Sequence, residues 1–166
     1  MRYRLDVVAP TVLDAVRFAG GWIYDRVMAG WDVTVLIGSG GDVRPLEILG
    51  AVTVDLETVL AEWAERPHPQ TVAVAADLFD RDERVRAGVL GALDQGATEV
   101  TLWGQPLPSE LDSSVDSVAH RLSAAARAFK AQALAACGAS DEPVGESETF
   151  CSGMMASVAR DLVPAS

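Results

Sequence analysis

The feature that most constrains this chain is the regular exchange of short β-branched runs with amphipathic helical stretches. Arg4 to Val8, Val33 to Ile37, Ala51 to Val54, Thr71 to Ala76 and Thr98 to Trp103 read as strands. Val33-Thr34-Val35-Leu36-Ile37 is nearly continuous in β-branched and apolar residues, which suits a central parallel strand covered on both faces. Val12, Val16, Ala19, Ile23 and Val27 recur at the period of one helix face. Thr11, with Asp14 three residues on, forms a capping-box-like start to that helix, and Gly30 forms its end. Gly20-Gly21 lies inside it at about 1 kcal/mol per glycine, which close packing against a strand explains. Asp55 and Asp80 stand where they can cap the third and fourth helices. A last helix is expected from Ser114 to Ala136, with Val115, Val118, Leu122, Ala125 and Phe129 on one stripe.

Five strands alternating with helices predict an α/β fold with a three-layer, doubly wound, mostly parallel five-stranded sheet. This domain is expected to span residues 1–137. Residues 138–166 read as a polar linker followed by a possible short amphipathic helix carrying Phe150, Met154, Met155, Val158 and Leu162.

A chain of 166 residues suits one domain, and 49% hydrophobic residues is enough for a real core. The net charge of −11 argues against nucleic acid and anionic membrane as partners, since both require clustered cations. Lys130 is the only lysine and reads as a composition effect. No apolar stretch reaches the roughly 20 residues of a spanning helix. Asp6, Asp14 and Arg17 interrupt what would otherwise be a signal peptide after the basic start. Two cysteines without a secretory signal are expected to stay reduced, and the cytoplasm is the expected compartment.

In such folds ligands bind beyond the carboxyl ends of the strands. That rule selects Ala9-Pro10, the loop Gly38-Ser39-Gly40-Gly41-Asp42 with Arg44, then Asp55, then Asp77 with Asp80, and the loop after Trp103. The Gly-rich loop can turn backbone N–H groups toward a phosphate, with Arg44 adding charge, but it is neither a Walker loop nor a dinucleotide fingerprint. Asp55 and Asp77 can act as acid, base or metal ligand. His68 and His120 are not spaced as ligands, so no metal or other cofactor is expected. Cys137, at a helix end, reads as structural.

Gly91-Ala92-Leu93-Asp94-Gln95-Gly96-Ala97, a strand, and then Gln105-Pro106-Leu107-Pro108-Ser109-Glu110-Leu111 before a long helix resemble the end of a response-regulator receiver domain. Gly30-Trp31-Asp32-Val33-Thr34-Val35 is similar to that family's second-strand entry. The resemblance implies a degenerate receiver. Ala9 and Pro10 stand in place of the acidic pair, Gln105 in place of the lysine, and Ala75 in place of the hydroxyl residue, while Asp55 falls at the acceptor position. The implied function is a non-catalytic regulatory or scaffolding domain that binds protein, as a homodimer, through Trp103, Gln105, Pro106, Val118, Leu122 and Phe129. The alternatives are a small nucleotide- or phosphate-binding enzyme using the Gly38 to Arg44 loop, and a subunit of a larger assembly docked through residues 150–163.

Overall fold

The computed structural model describes residues 3–38, 41–94, 98–104 and 116–153. Five strands run parallel, as the β-branched runs predict: β1 (Arg4–Ala9), β2 (Asp32–Ile37), β3 (Val52–Asp55), β4 (Thr71–Ala75) and β5 (Glu99–Trp103). Two further strands, β6 (Asp116–Arg121) and β7 (Ser147–Gly153), extend the sheet beside β5. The order is β3-β2-β1-β4-β5-β7-β6, with β7 antiparallel to both of its neighbours. The architecture is therefore α/β with a mixed seven-stranded sheet, rather than a five-stranded parallel one.

The order also corrects the receiver expectation. In the receiver-type order 2-1-3-4-5 the third strand lies next to the first, at the centre of the sheet. Here β3 lies at the edge beyond β2, and β4 takes the central place beside β1. Asp55, which ends β3, is therefore at the rim.

The helices are α1 (Val12–Met28), α2 (Arg44–Ile48), α3 (Leu56–Ala61), α4 (Ala76–Arg81), α5 (Glu83–Asp94) and α6 (Ala124–Ala136), with a 3-10 turn at Trp63–Glu65. Thr11 caps α1 as expected, its hydroxyl accepting from the Asp14 N–H at 3.1 Å. Gly30 follows the end of α1 at φ +93°, a conformation that costs a residue with a Cβ dearly. Asp82, rather than Asp80, caps α5 by accepting from the N–H groups of Arg84 and Val85. Asp80 lies inside α4. β1 runs outward to β2 and β3 in one direction, and β4 runs to β5 in the other. Right-handed crossovers then place α1 and α2 on one face and α5 on the opposite face. Correspondingly, α6 packs with α1 and α2, and α3 and α4 pack with α5. The core lies between these layers, with Leu5, Val7, Val8, Val35, Leu36, Val72, Val74 and Leu102 fully buried.

The expected helix over 114–136 is two elements. Its first part is strand β6, which carries Val118 and His120, and only Ala124 onward is helical. Residues 138–146 are a turn-rich connection. It is anchored by the Arg17–Glu142 ion pair and by the Glu146 carbonyl, which accepts from the Leu122 N–H. Phe150 lies on β7 and is buried against Trp22, with ring centroids 4.9 Å apart. Met154, Met155, Val158 and Leu162 lie outside the described residues.

The β6–α6–β7 unit is fastened to α1 by a buried ion pair. Lys130 on α6 and Glu148 on β7 meet at 2.8 Å, each about 5% exposed. The Glu148 carboxylate also accepts from the N–H groups of Gly21 (2.8 Å) and Trp22 (2.7 Å). Lys130 Nζ donates in turn to the Arg17 carbonyl at 2.8 Å, the acceptor that an ideal helix pairs with the Gly21 N–H. Charged side chains thus bond backbone groups in the middle of α1. Gly21 leaves room at this junction for Leu122, and Gly20 lies against the Lys130 stem. A Cβ on Gly21 would lie 2.2 Å from Leu122 Cδ2, and one on Gly20 would lie 3.4 Å from Lys130 Cγ. The lone lysine is thus a structural position.

Removing one partner of a buried pair leaves the other charge uncompensated, at about 3–5 kcal/mol. Lys130→Met is therefore expected to lower the urea midpoint by about 1 M or more, given a dependence of about 1–3 kcal/mol per molar urea. A midpoint within error of the parent would show that the pair contributes nothing to stability.

Candidate functional site

The strand order fixes where a site belongs. Connections leave β1 and β4 in opposite directions, so a crevice opens between their carboxyl ends. The first turn of α1 flanks it on one side and α4 on the other. Asp14 comes from α1 and Asp77 from α4, and Trp103 closes β5 beside them. Asp14 is half-buried, Asp77 is exposed, and Trp103 is 3% exposed.

These groups act on one another. Burial pushes the Asp14 carboxyl above the ordinary carboxylate range. The Trp103 indole N–H opposes that rise, the Asp77 charge adds to it, and the Arg17 and Arg81 charges oppose it. The indole N–H is buried and falls short of a full hydrogen bond to any protein group. It is a donor held toward Asp14 without a fixed acceptor. Trp103 and Arg17 also line a cavity of about 520 Å³, together with Phe18, Phe150 and the Lys130–Glu148 pair. The amino ends of the strands are closed differently. There the 2%-exposed Asp6 is held by the Arg66 guanidinium through two bonds of 3.2 and 3.1 Å.

The residues singled out from sequence fall into separate places. Gly41 and Asp55 share a small cavity of about 220 Å³ with Val12, Val43 and Thr53. Gly38 packs near Pro10 and Leu56. Asp42 accepts from the Arg44 N–H at 3.0 Å, closing a tight turn, and the Arg44 side chain is exposed. Asp55 caps α3, accepting from the Thr58 N–H and hydroxyl at 3.0 and 2.9 Å. Ser39, Gly40, Gln105 and Pro106 lie outside the described residues. Among the ligand-binding candidates only Asp77 acts on Asp14. Of the proposed interface residues, Trp103 and Leu122 are buried. Val118 is exposed on β6, and Phe129 stacks on Tyr24 at 4.6 Å. Asp14 escaped sequence reasoning because its place in a capping box explained it fully. Its signal was position, in the first turn after the first strand.

The histidines lie elsewhere. His68 is in the loop before β4, at the amino ends of the strands. His120 bonds Asp25 at 2.8 Å, and Asp25 also accepts from the Ser123 hydroxyl at 2.6 Å. Burial pushes the Cys137 thiol up, and the Asp42 charge adds to that rise. Among the described residues no three His, Cys, Asp or Glu side chains converge as a metal site requires. No described helix is long and apolar enough to cross a membrane.

No sequence-family model matches the chain, and no curated protein matches it in sequence. Solved structures do match in fold. Teicoplanin deacetylase in complex with teicoplanin superposes with a TM-score of 0.71 at 13% identity, covering 92% of this chain and 99% of that one. Another structure of that enzyme is described as its zinc-inhibited form. The N,N'-diacetylchitobiose deacetylase of Pyrococcus horikoshii gives 0.60 at 10% identity, covering 98% and 87%. The 4-carboxy-2-hydroxymuconate hydratase of Pseudomonas putida gives 0.62 at 15% identity, covering 99% and 98%. The fold is thus shared with these deacetylases and with the hydratase, which overturns the receiver resemblance and the regulatory, non-catalytic reading that depended on it.

The Asp14 environment has a measurable consequence. Its folded pKa lies above the ordinary 3.8. Between those two values the folded protein holds a proton that the unfolded chain has released, so stability falls as pH rises through this window. Asp14→Asn is free of that loss. The thermal midpoint of the variant relative to the parent is expected to climb as pH is raised from about 4 to about 7. A pH-independent difference would show that Asp14 titrates normally.

Proposed function

We propose that this protein is an enzyme that adds water to a small polar substrate in the crevice between β1 and β4, with N-acyl hydrolysis as its reaction class. The observation that carries this reading is Asp14, a half-buried carboxyl held toward its protonated form at the switch point of the sheet, next to the ionisable Asp77. Perturbed carboxyls in a crevice are the usual signature of acid–base chemistry. The fold relatives favour the class: two are named deacetylases and one a hydratase. Both reactions consume water.

The two carboxyls divide the work by environment, as unequal carboxyl pairs do. In amide hydrolysis the water oxygen bonds to the acyl carbon and the carbon–nitrogen bond breaks. Asp77, exposed and beside Arg81, takes the proton that the water gives up. Asp14 gives its proton to the departing nitrogen, and the Trp103 N–H donates to the acyl oxygen. The products are a carboxylic acid and an amine, and one proton passed from Asp77 to Asp14 through water restores the starting state.

The test is acetate release from N-acetylglucosamine and N,N'-diacetylchitobiose. Asp14→Asn is expected to lower kcat by about 100-fold or more, the scale of a lost general acid, with its circular dichroism unchanged. A parent protein that releases no acetate from either amide would remove N-acyl hydrolysis as the reaction.

A further inference from the structure

One fold relative is described in a zinc-inhibited form, and a tetrahedral zinc site needs three or four nitrogen, sulfur or carboxylate ligands. The residues of this chain do not fit that group. Its only histidines and cysteines are His68, His120, Cys137 and Cys151. His68 lies at the opposite end of the strands from the crevice. His120 is engaged by Asp25. Cys137 is held as a thiol, the form that does not bind metal. Cys151 stands on β7 in register with Leu102, and no two further ligands converge on it among the described residues.

The crevice itself presents two carboxyls and two guanidinium groups. Arg17 and Arg81 both act electrostatically on Asp14, and such cations raise the cost of bringing a divalent ion to the same point. The remaining neighbour is a hydrogen-bond donor, the buried indole N–H of Trp103, which acts on Asp14 itself and offers no lone pair to an ion.

We infer that the crevice formed by Asp14, Asp77, Arg17, Arg81 and Trp103 is not a divalent-metal site. The inference deepens the proposed function and rests on the same crevice, but its test does not depend on turnover. The groups facing Asp14 are Asp77 and Arg81 from α4, Arg17 from its own helix and Trp103 from β5. Of these, only the Asp77 charge adds to the effect of burial, while Trp103, Arg17 and Arg81 favour the charged form of Asp14.

The experiment uses the full chain, purified without metal and then titrated separately with zinc and magnesium. Bound metal is read by elemental analysis and calorimetry. The expected result is no metal uptake at the crevice. Zinc uptake that survives both Asp14→Asn and Asp77→Asn belongs elsewhere on the surface and upholds the inference. Stoichiometric zinc or magnesium binding abolished by either substitution overturns it. Absence of acetate release alongside an unmetallated crevice would remove the proposed reaction and leave the metal inference intact.

Discussion

The grip of Lys130 and Glu148 on the middle of α1 is the constraint on which the rest of the structure depends. An ion pair withdrawn from water repays its desolvation only when every remaining donor and acceptor is used. Here the carboxylate bonds two backbone N–H groups as well as the ammonium, and the ammonium bonds a backbone carbonyl. The pair therefore needs three elements at once: α6 for the cation, β7 for the anion and α1 for the backbone groups. It turns a terminal β–α–β unit, whose own strands leave β6 at an exposed edge, into part of the main domain. Gly21 is fixed at the same junction by a different neighbour, because a Cβ there would collide with the buried Leu122.

The same grip governs the crevice. Asp14 stands two turns before Gly21 on the same helix, and Trp103 on β5 is the neighbour of β7 through their antiparallel pairing. The helix that presents the carboxyl and the strand that presents the indole are thus braced by one polar cluster. Thr11 fixes the start of the helix, and Glu148 holds its middle. A carboxyl whose protonation is set by burial needs such bracing, since a small shift toward water would return it to ordinary behaviour.

Much of this was legible in the sequence, and the part that was not has definite physical reasons. The five parallel strands and the capping of α1 by Thr11 and α3 by Asp55 follow from periodicity and local chemistry. The loops at the carboxyl ends adjoin the crevice proposed as the site, and Asp77 was among their residues. Strand order was not legible, because orders 3-2-1-4-5 and 2-1-3-4-5 share one sequence of elements and differ only in which strand lies beside β1. That ambiguity sustained the receiver resemblance. Strand β6 was read as helix because Val118 and Leu122 lie four apart and so mimic a helix face, although the intervening Ala119, His120 and Arg121 pair with β7. Glu148 was hidden in a polar stretch, since its partners Gly21 and Trp22 are more than 120 residues away. A single lysine in an arginine-using chain and a glycine pair inside a helix were the two available hints, and each had an ordinary explanation when taken alone.

A shared fold leaves the chemistry to the side chains at the crevice. The relatives illustrate this, since one scaffold carries enzymes named for removing acetyl groups and another named for hydrating a carboxylated muconate. What those reactions have in common is a water molecule that must be activated and a proton that must be delivered. A metal is one way to meet both needs, because it lowers the pKa of bound water and holds the developing charge. A buried carboxyl beside an exposed one is another, because their unequal environments separate the acid from the base. In this chain no three nitrogen, sulfur or carboxylate ligands converge among the described residues, and guanidinium groups act on the Asp14 carboxyl. Those charges raise the cost of bringing a second cation to the same point.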